Sequence, residues 1–177
     1  FSMIAGKVRN KKEHLYDDGK LKLLKFAAIY GANASGKSNL VKAIGFMQQT
    51  VLQGLPKGHT NLYCKVKEEN KNIPSYFEIE IKIGEKYYAY GFEVILSLGQ
   101  FVSEWLYELK SNNQDRLVFS RDIVNSSYSF GKELQVKGLI DKLDVYAEDI
   151  QADNTVLLLT VLNQNKKLLY QQYDEAA

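Results

Sequence analysis

The apolar positions of this chain follow more than one period, and each period predicts an element. Leu23-Leu24-Lys25-Phe26-Ala27-Ala28-Ile29-Tyr30 is a mostly apolar run that reads as a buried strand. Asp17-Asp18-Gly19-Lys20 is a turn signal, joining that strand to an earlier one around Ser2–Arg9. From Asn39 the spacing becomes helical, with Leu40, Ile44 and Met47 on one face. This predicts a helix from Lys37 to Gln53, ended by Gly54-Leu55-Pro56-Lys57-Gly58. Residues 59–75 carry no period and read as a long loop.

The period then changes to two. Phe77, Ile79, Ile81 and Ile83 alternate with Glu78, Glu80 and Lys82, a strand with one wet face. Gly84-Glu85 predicts a tight turn, and the returning strand alternates Tyr88, Tyr90, Phe92 and Val94. Val102–Lys110 predicts a third strand with Trp105, Tyr107 and Leu109 on one face. Beyond the polar turn at 111–115, Leu117-Val118-Phe119 and Ser127-Tyr128-Ser129-Phe130 predict two short strands. The five make an antiparallel meander. From Lys132 the pattern turns helical, with Leu134, Gly138, Leu139 and Leu143 compatible with a short helix interrupted or ended near Asp144. Asp153 and Asn154 are N-cap candidates for a last helix from Thr155 to about Tyr173.

Chemistry concentrates between the first predicted strand run and the first predicted helix. Gly31-Ala32-Asn33-Ala34-Ser35-Gly36-Lys37-Ser38 fits the phosphate-binding pattern G-x-x-x-x-G-K-[ST]. Glycines at its ends let the backbone turn closely around a phosphate. Loop amides and the helix N-terminus supply positive character. Lys37 offers a point charge to the β- and γ-phosphates of ATP, and Ser38 a hydroxyl to Mg²⁺. The alternative, a chance glycine-rich turn, leaves the lysine without a role at a loop–helix junction. Candidate nucleotide-binding residues are therefore Gly31, Ala32, Asn33, Ala34, Ser35, Gly36, Lys37, Ser38 and Asn39, with Ser38 the candidate Mg²⁺ ligand and no catalytic residue assigned.

Composition narrows the setting. Hydrophobic residues make up 45% and charged residues 25%, ordinary for a globular chain, and the net charge of +2 points to neither a polyanion nor a membrane. One cysteine, Cys64, excludes an internal disulfide and a cysteine-based zinc site within the chain, so a reducing, cytoplasmic setting is expected. His14 and His59 lack ligand-spaced neighbours and read as surface residues. No apolar run approaches the length of a membrane span. Residues 1–25 hold seven lysines and arginines against three acids. That excess reads either as a nucleic-acid patch or as edge lysines that discourage misplaced strand pairing, and the second is preferred. The aromatic stripe of the meander reads as core packing rather than a base-stacking platform, because Glu78 and Glu80 would repel phosphate.

Hydrolysis also needs an acid at the end of a second apolar strand to hold Mg²⁺, and a group to orient water. Neither that acid nor a Leu-Ser-Gly-Gly-like signature is legible here. A compact small-molecule kinase would continue with alternating strands and helices, which the meander argues against. The run Ala28-Ile29-Tyr30-Gly31-Ala32-Asn33-Ala34-Ser35-Gly36-Lys37-Ser38-Asn39-Leu40 resembles the P-loop of ABC-class ATPases of the SMC, RecF and OLD type. Tyr88 to Glu93, Glu104 to Glu108 and Leu117 to Asp122 resemble one branch, the bacterial AAA-family ATP-binding proteins linked to abortive infection and phage defence.

The resemblance implies an α/β fold: the N-terminal lobe of an ABC-ATPase-like head with an antiparallel β-meander subdomain and C-terminal helices. The lobe spans residues 1–177: strands, P-loop and P-loop helix in 1–58, the β subdomain in 59–131 and a helical segment in 132–177. The head is incomplete, and a C-terminal lobe is expected to bring the acid and the signature. Two heads are expected to pair head to head as a homodimer around ATP. By the same resemblance Asn33 and Ser35 shape the loop; Gln100 and Gln151 are the candidates for the family's metal- and water-contacting glutamine. The expected activity is ATP binding in phage defence, with a nuclease or toxin as the effector. DNA repair or maintenance, or a nucleotide-gated scaffold, are the alternatives.

Overall fold

The computed structural model describes residues 1–7, 10–110 and 114–165. The chain divides into two compact units, Phe1–Ala43 and Ile44–Ala177. The division falls within α1 (Lys37–Gln53), whose limits are those the sequence pattern predicts.

The first unit holds a short antiparallel ribbon, β1 (Leu15–Asp17) and β2 (Lys22–Leu24). Its turn forms at the predicted residues. Gly19 is left-handed at φ +81°, the Asp17 carboxylate accepts the Gly19 amide at 3.0 Å, and Asp18 accepts those of Lys20 and Leu21 at 3.0 and 2.8 Å. It joins β1 to β2 rather than to a strand at Ser2–Arg9. Of that predicted strand, one bridge is formed, between Ile4 and Leu23; Arg9 lies outside the described residues. The predicted buried strand at 23–30 is corrected as well. Strand structure stops at Leu24, and Phe26, Ile29 and Tyr30 are exposed. The cause is the end of the ladder: Leu24 pairs with Leu15, the Lys25 amide reaches the His14 carbonyl at 3.0 Å, and no described strand lies alongside 26–30.

The second unit is built on a five-stranded antiparallel meander in sequential order. Its strands are β3 (Ser75–Ile83), β4 (Lys86–Ile95), β5 (Gln100–Leu109), β6 (Arg116–Asp122) and β7 (Ser127–Phe130). The period-two pattern predicts this architecture, and Gly84, left-handed at φ +58°, makes the first hairpin turn. The loop predicted at 59–75 ends at Pro74, since Ser75 begins β3, and it holds short 3₁₀ turns at His59–Asn61 and Glu68–Asn72.

One face of the sheet is the core. Phe92 and Val94 are fully buried, Phe77 stacks on Phe92 with centroids 5.3 Å apart, and Phe101 meets Phe92 edge-on at 5.6 Å. From α1, Phe46 stacks on Phe77 at 5.0 Å, with Met47 and Thr50 also buried. The buried stripe of α1 is therefore Phe46, Met47 and Thr50 rather than Leu40, Ile44 and Met47; Ile44 is exposed. α2 (Leu139–Asp149) runs past the end predicted near Asp144, because Leu143, Ala147 and Ile150 continue one buried face. A further helix covers residues 158–165, beginning three residues later than predicted; its predicted extension toward Tyr173 lies outside the described residues.

Trp105, Tyr107 and Leu109 follow one another on alternate positions as expected, yet Trp105 and Tyr107 do not join the core stripe. A bulge between Glu93 and Val94 pairs Val94 with Phe101 and Glu93 with Ser103. The phase of β5 shifts there, so Phe101 and Glu104 both face the core and Trp105 faces away.

Candidate functional site

Residues 31–36 form an exposed turn that runs directly into α1. Two of its residues take the left-handed conformation, Ala34 at φ 66° and Gly36 at φ +89°. The second is free of strain because glycine has no Cβ; the first is not. Gly31 matters through space: a Cβ there would stand 2.7 Å from Ser35 Oγ. The Ser35 amide reaches back to the Ala32 carbonyl at 3.3 Å, and those of Asn39 and Leu40 reach Gly36 at 2.9 and 3.2 Å.

Lys37 folds across this turn. Its Nζ donates to the carbonyls of Gly31 and Ala32, each at 2.6 Å, and to Ser35 Oγ at 3.2 Å. An ammonium thus sits inside a ring of main chain at the start of a 17-residue helix. The first amides of any helix lack partners one turn earlier, and the helix dipole adds positive character there. Ser38 and Asn39 are exposed on that first turn, so the predicted residues from Gly31 to Asn39 form one continuous surface. The donor set suits a phosphorylated ligand: amides, one ammonium and hydroxyls, with no carboxylate in the loop. Among the described residues no group of three histidine, cysteine, aspartate or glutamate side chains could hold a metal ion.

Other sequence candidates stand apart from the loop in sequence. Gln100 begins β5, and the Gln151 amide donates to the Ser126 carbonyl at 2.5 Å. His14 is exposed, whereas His59 is half-buried, its Nδ1 2.8 Å from the Pro56 carbonyl and its ring against Gly99. Cys64 is exposed.

A buried polar centre in the second unit escapes sequence reading. Glu104 on β5 and Arg121 on β6 are register partners, 1% and 2% exposed. The Glu104 carboxylate accepts the amides of Leu158 and Leu159 at 2.6 and 3.1 Å and the Tyr90 hydroxyl at 2.9 Å. It therefore caps the helix at 158–165 from a strand 54 residues earlier. Asp153, the predicted cap, instead accepts the amide and hydroxyl of Thr155 at 2.8 and 2.6 Å, which makes a turn before the helix. Arg121 donates to the carbonyls of Val156 at 2.7 Å, Asp153 at 2.6 Å and Ile150. Burial pushes the Glu104 carboxyl above its usual range, opposed by those hydrogen bonds and by the charge of Arg121. The available signal was the presence of two charges at core-phase positions, and the bulges in β5 and β6 obscure that phase.

A glycine-bearing turn that enters a helix, with a lysine folded over it, is the arrangement of P-loop proteins. The chain belongs to the family described as "AAA domain, putative AbiEii toxin, Type IV TA system", whose model matches residues 26–144. Membership makes it a P-loop AAA-family ATPase domain, and such a domain implies the P-loop NTPase fold and nucleotide binding. Comparison with curated proteins and with solved structures gave no match. No helix among the described residues is long and apolar enough to cross a membrane.

Proposed function

We propose that this chain is the ATP-binding lobe of an ABC-class ATPase head of the SMC, RecF and OLD type, acting in abortive infection in the cytoplasm. The observation that carries the reading is the ammonium of Lys37 folded across the turn at the start of α1. A bound triphosphate would draw Lys37 from the Gly31 and Ala32 carbonyls toward the β- and γ-phosphates. The loop amides other than those of Ser35 and Asn39, which reach the Ala32 and Gly36 carbonyls, would line the phosphates, and the Ser38 hydroxyl would face Mg²⁺. Mg²⁺, when bound, neutralises charge on the phosphates. The acid and the signature belong to a C-terminal lobe, and ATP drives two heads together as a homodimer that controls an effector nuclease or toxin.

The test is Mg·ATP affinity, measured by calorimetry on the complete head with and without Lys37→Ala. Loss of one charge-assisted contact to phosphate is expected to weaken binding about a hundredfold. Equal affinities in the two proteins would remove the proposal.

A further inference from the structure

The face of the meander opposite the core has a chemistry of its own. Register sets Tyr76, Glu93, Ser103 and Asp122 in one row across β3 to β6. Glu78, Gly91, Trp105 and Ser120 form the next row, and Glu80, Ala89 and Tyr107 a third. The Trp105 ring covers Gly91, where a Cβ would stand 2.4 Å from it, and lies 5.2 Å from the Tyr76 ring. These aromatics with Tyr107 border a shallow depression of about 390 Å³, and Tyr76 remains 59% exposed.

Carboxylates are fixed at the edges of these rings. Trp105 Nε1 donates to Glu78 at 2.8 Å, and Ser103 Oγ to Glu93 at 2.8 Å. Asp122 is held by the amide and side chain of Asn125 at 3.0 and 2.7 Å. The phenol of Tyr76 is pushed up to about 12, by burial and then by Glu78, Glu93 and Glu80, so the local field is negative. Lys82 is at the far end of β3, 5.6 Å from the Tyr87 ring centroid and 3.9 Å from Glu85.

We propose that this face docks an arginine-bearing segment of a partner protein, with the guanidinium against Trp105 and Tyr76 and its N–H groups on Glu78 and Glu93. Arginine suits the site because its planar cation stacks on aromatic rings and forks onto carboxylates at the same time. Nucleic acid is disfavoured, since its phosphates would meet Glu78, Glu80, Glu93 and Asp122. A second copy laid face to face would bring those carboxylates together. This inference goes beyond nucleotide binding and does not depend on it.

Trp105 is the chain's one tryptophan, so its fluorescence reports directly on the face. The intact chain is titrated with hexaarginine at low salt. A saturable change in emission is expected, with weaker binding of hexalysine and about tenfold weaker hexaarginine binding in the Glu78→Gln, Glu93→Gln double variant. Tyr76→Ser, at an exposed position, gives a second reading at an unchanged urea midpoint and is also expected to weaken binding. Silent emission, or equal affinity in both variants, overturns the proposal. So does a larger response to single-stranded DNA than to hexaarginine, or a dimer in sedimentation that the double variant dissolves.

Discussion

At the residue scale the decisive groups are charges whose surroundings determine their role. Lys37 is held by main-chain carbonyls; Glu104 and Arg121 are held by main chain as well, but in the core. Glu104→Ala is expected to cost about 3–5 kcal/mol, because it strands Arg121 and leaves the Leu158 and Leu159 amides without their acceptor. Glu104→Gln keeps an acceptor and is expected to cost about 1–3 kcal/mol. Urea unfolding followed by circular dichroism measures both, and equal midpoints for Glu104→Ala and the parent would refute the capping role. Glu108, 3% exposed, behaves oppositely to Glu104 in its titration. Its hydrogen bond from Lys110, with Arg116 adding a second, holds its carboxyl below the ordinary 4.5. A depressed folded value means that its stabilisation is present above about pH 4.5 and is lost as pH falls through the folded value. The contribution of Glu108 to stability is therefore expected to fade below about pH 4.5, seen as a shallower acid-side pH dependence of the urea midpoint in Glu108→Gln.

At the scale of elements, packing decides more than propensity. α1 has the length its pattern predicts, but its buried stripe is set by Phe77, which stacks on Phe46. The helix at 158–165 starts where a carboxylate from β5 meets its amides, not where the local Asp-Asn pair suggests. β6 and β7 close against each other through Gly131, whose amide reaches the Val118 carbonyl at 2.8 Å. A Cβ at Gly131 would fall 1.9 Å from the Leu117 carbonyl oxygen, which cannot rotate away. Gly131→Ala is expected to cost about 3 kcal/mol, read as a lower urea midpoint. Gly138→Ala meets no neighbour, though its φ of +86° strains the new residue, so a smaller loss is expected there.

At the scale of the whole molecule, stability is unevenly distributed. No described residue between Phe1 and Ala43 is buried, while the second unit holds a continuous core from Phe46 through Phe92 to Leu158. Amides of β1 and β2 are therefore expected to exchange with solvent far faster than those of β4 and β5, and hydrogen exchange read by mass spectrometry checks this. Equal protection in the two ribbons would show that the first unit has a core of its own. Phe92→Ala, at a fully buried ring, is expected to cost about 3–5 kcal/mol of the stability of the second unit.

The turn that enters α1, the limits of α1 and the five-strand meander were all readable from the sequence. Each follows from local rules: a fixed spacing of glycine and lysine, a helical period ended by Gly54-Leu55-Pro56-Lys57-Gly58, and alternation broken by turns. Tertiary structure decided which alternating face became the core. Two bulges shift the phase of β5 and β6, placing Glu104 and Arg121 inside and Trp105 outside. It also decided that the run at 25–30 would not be a strand, because a ladder needs a neighbour and no local pattern supplies one. Those outcomes depend on partners distant along the chain, which local spacing does not encode.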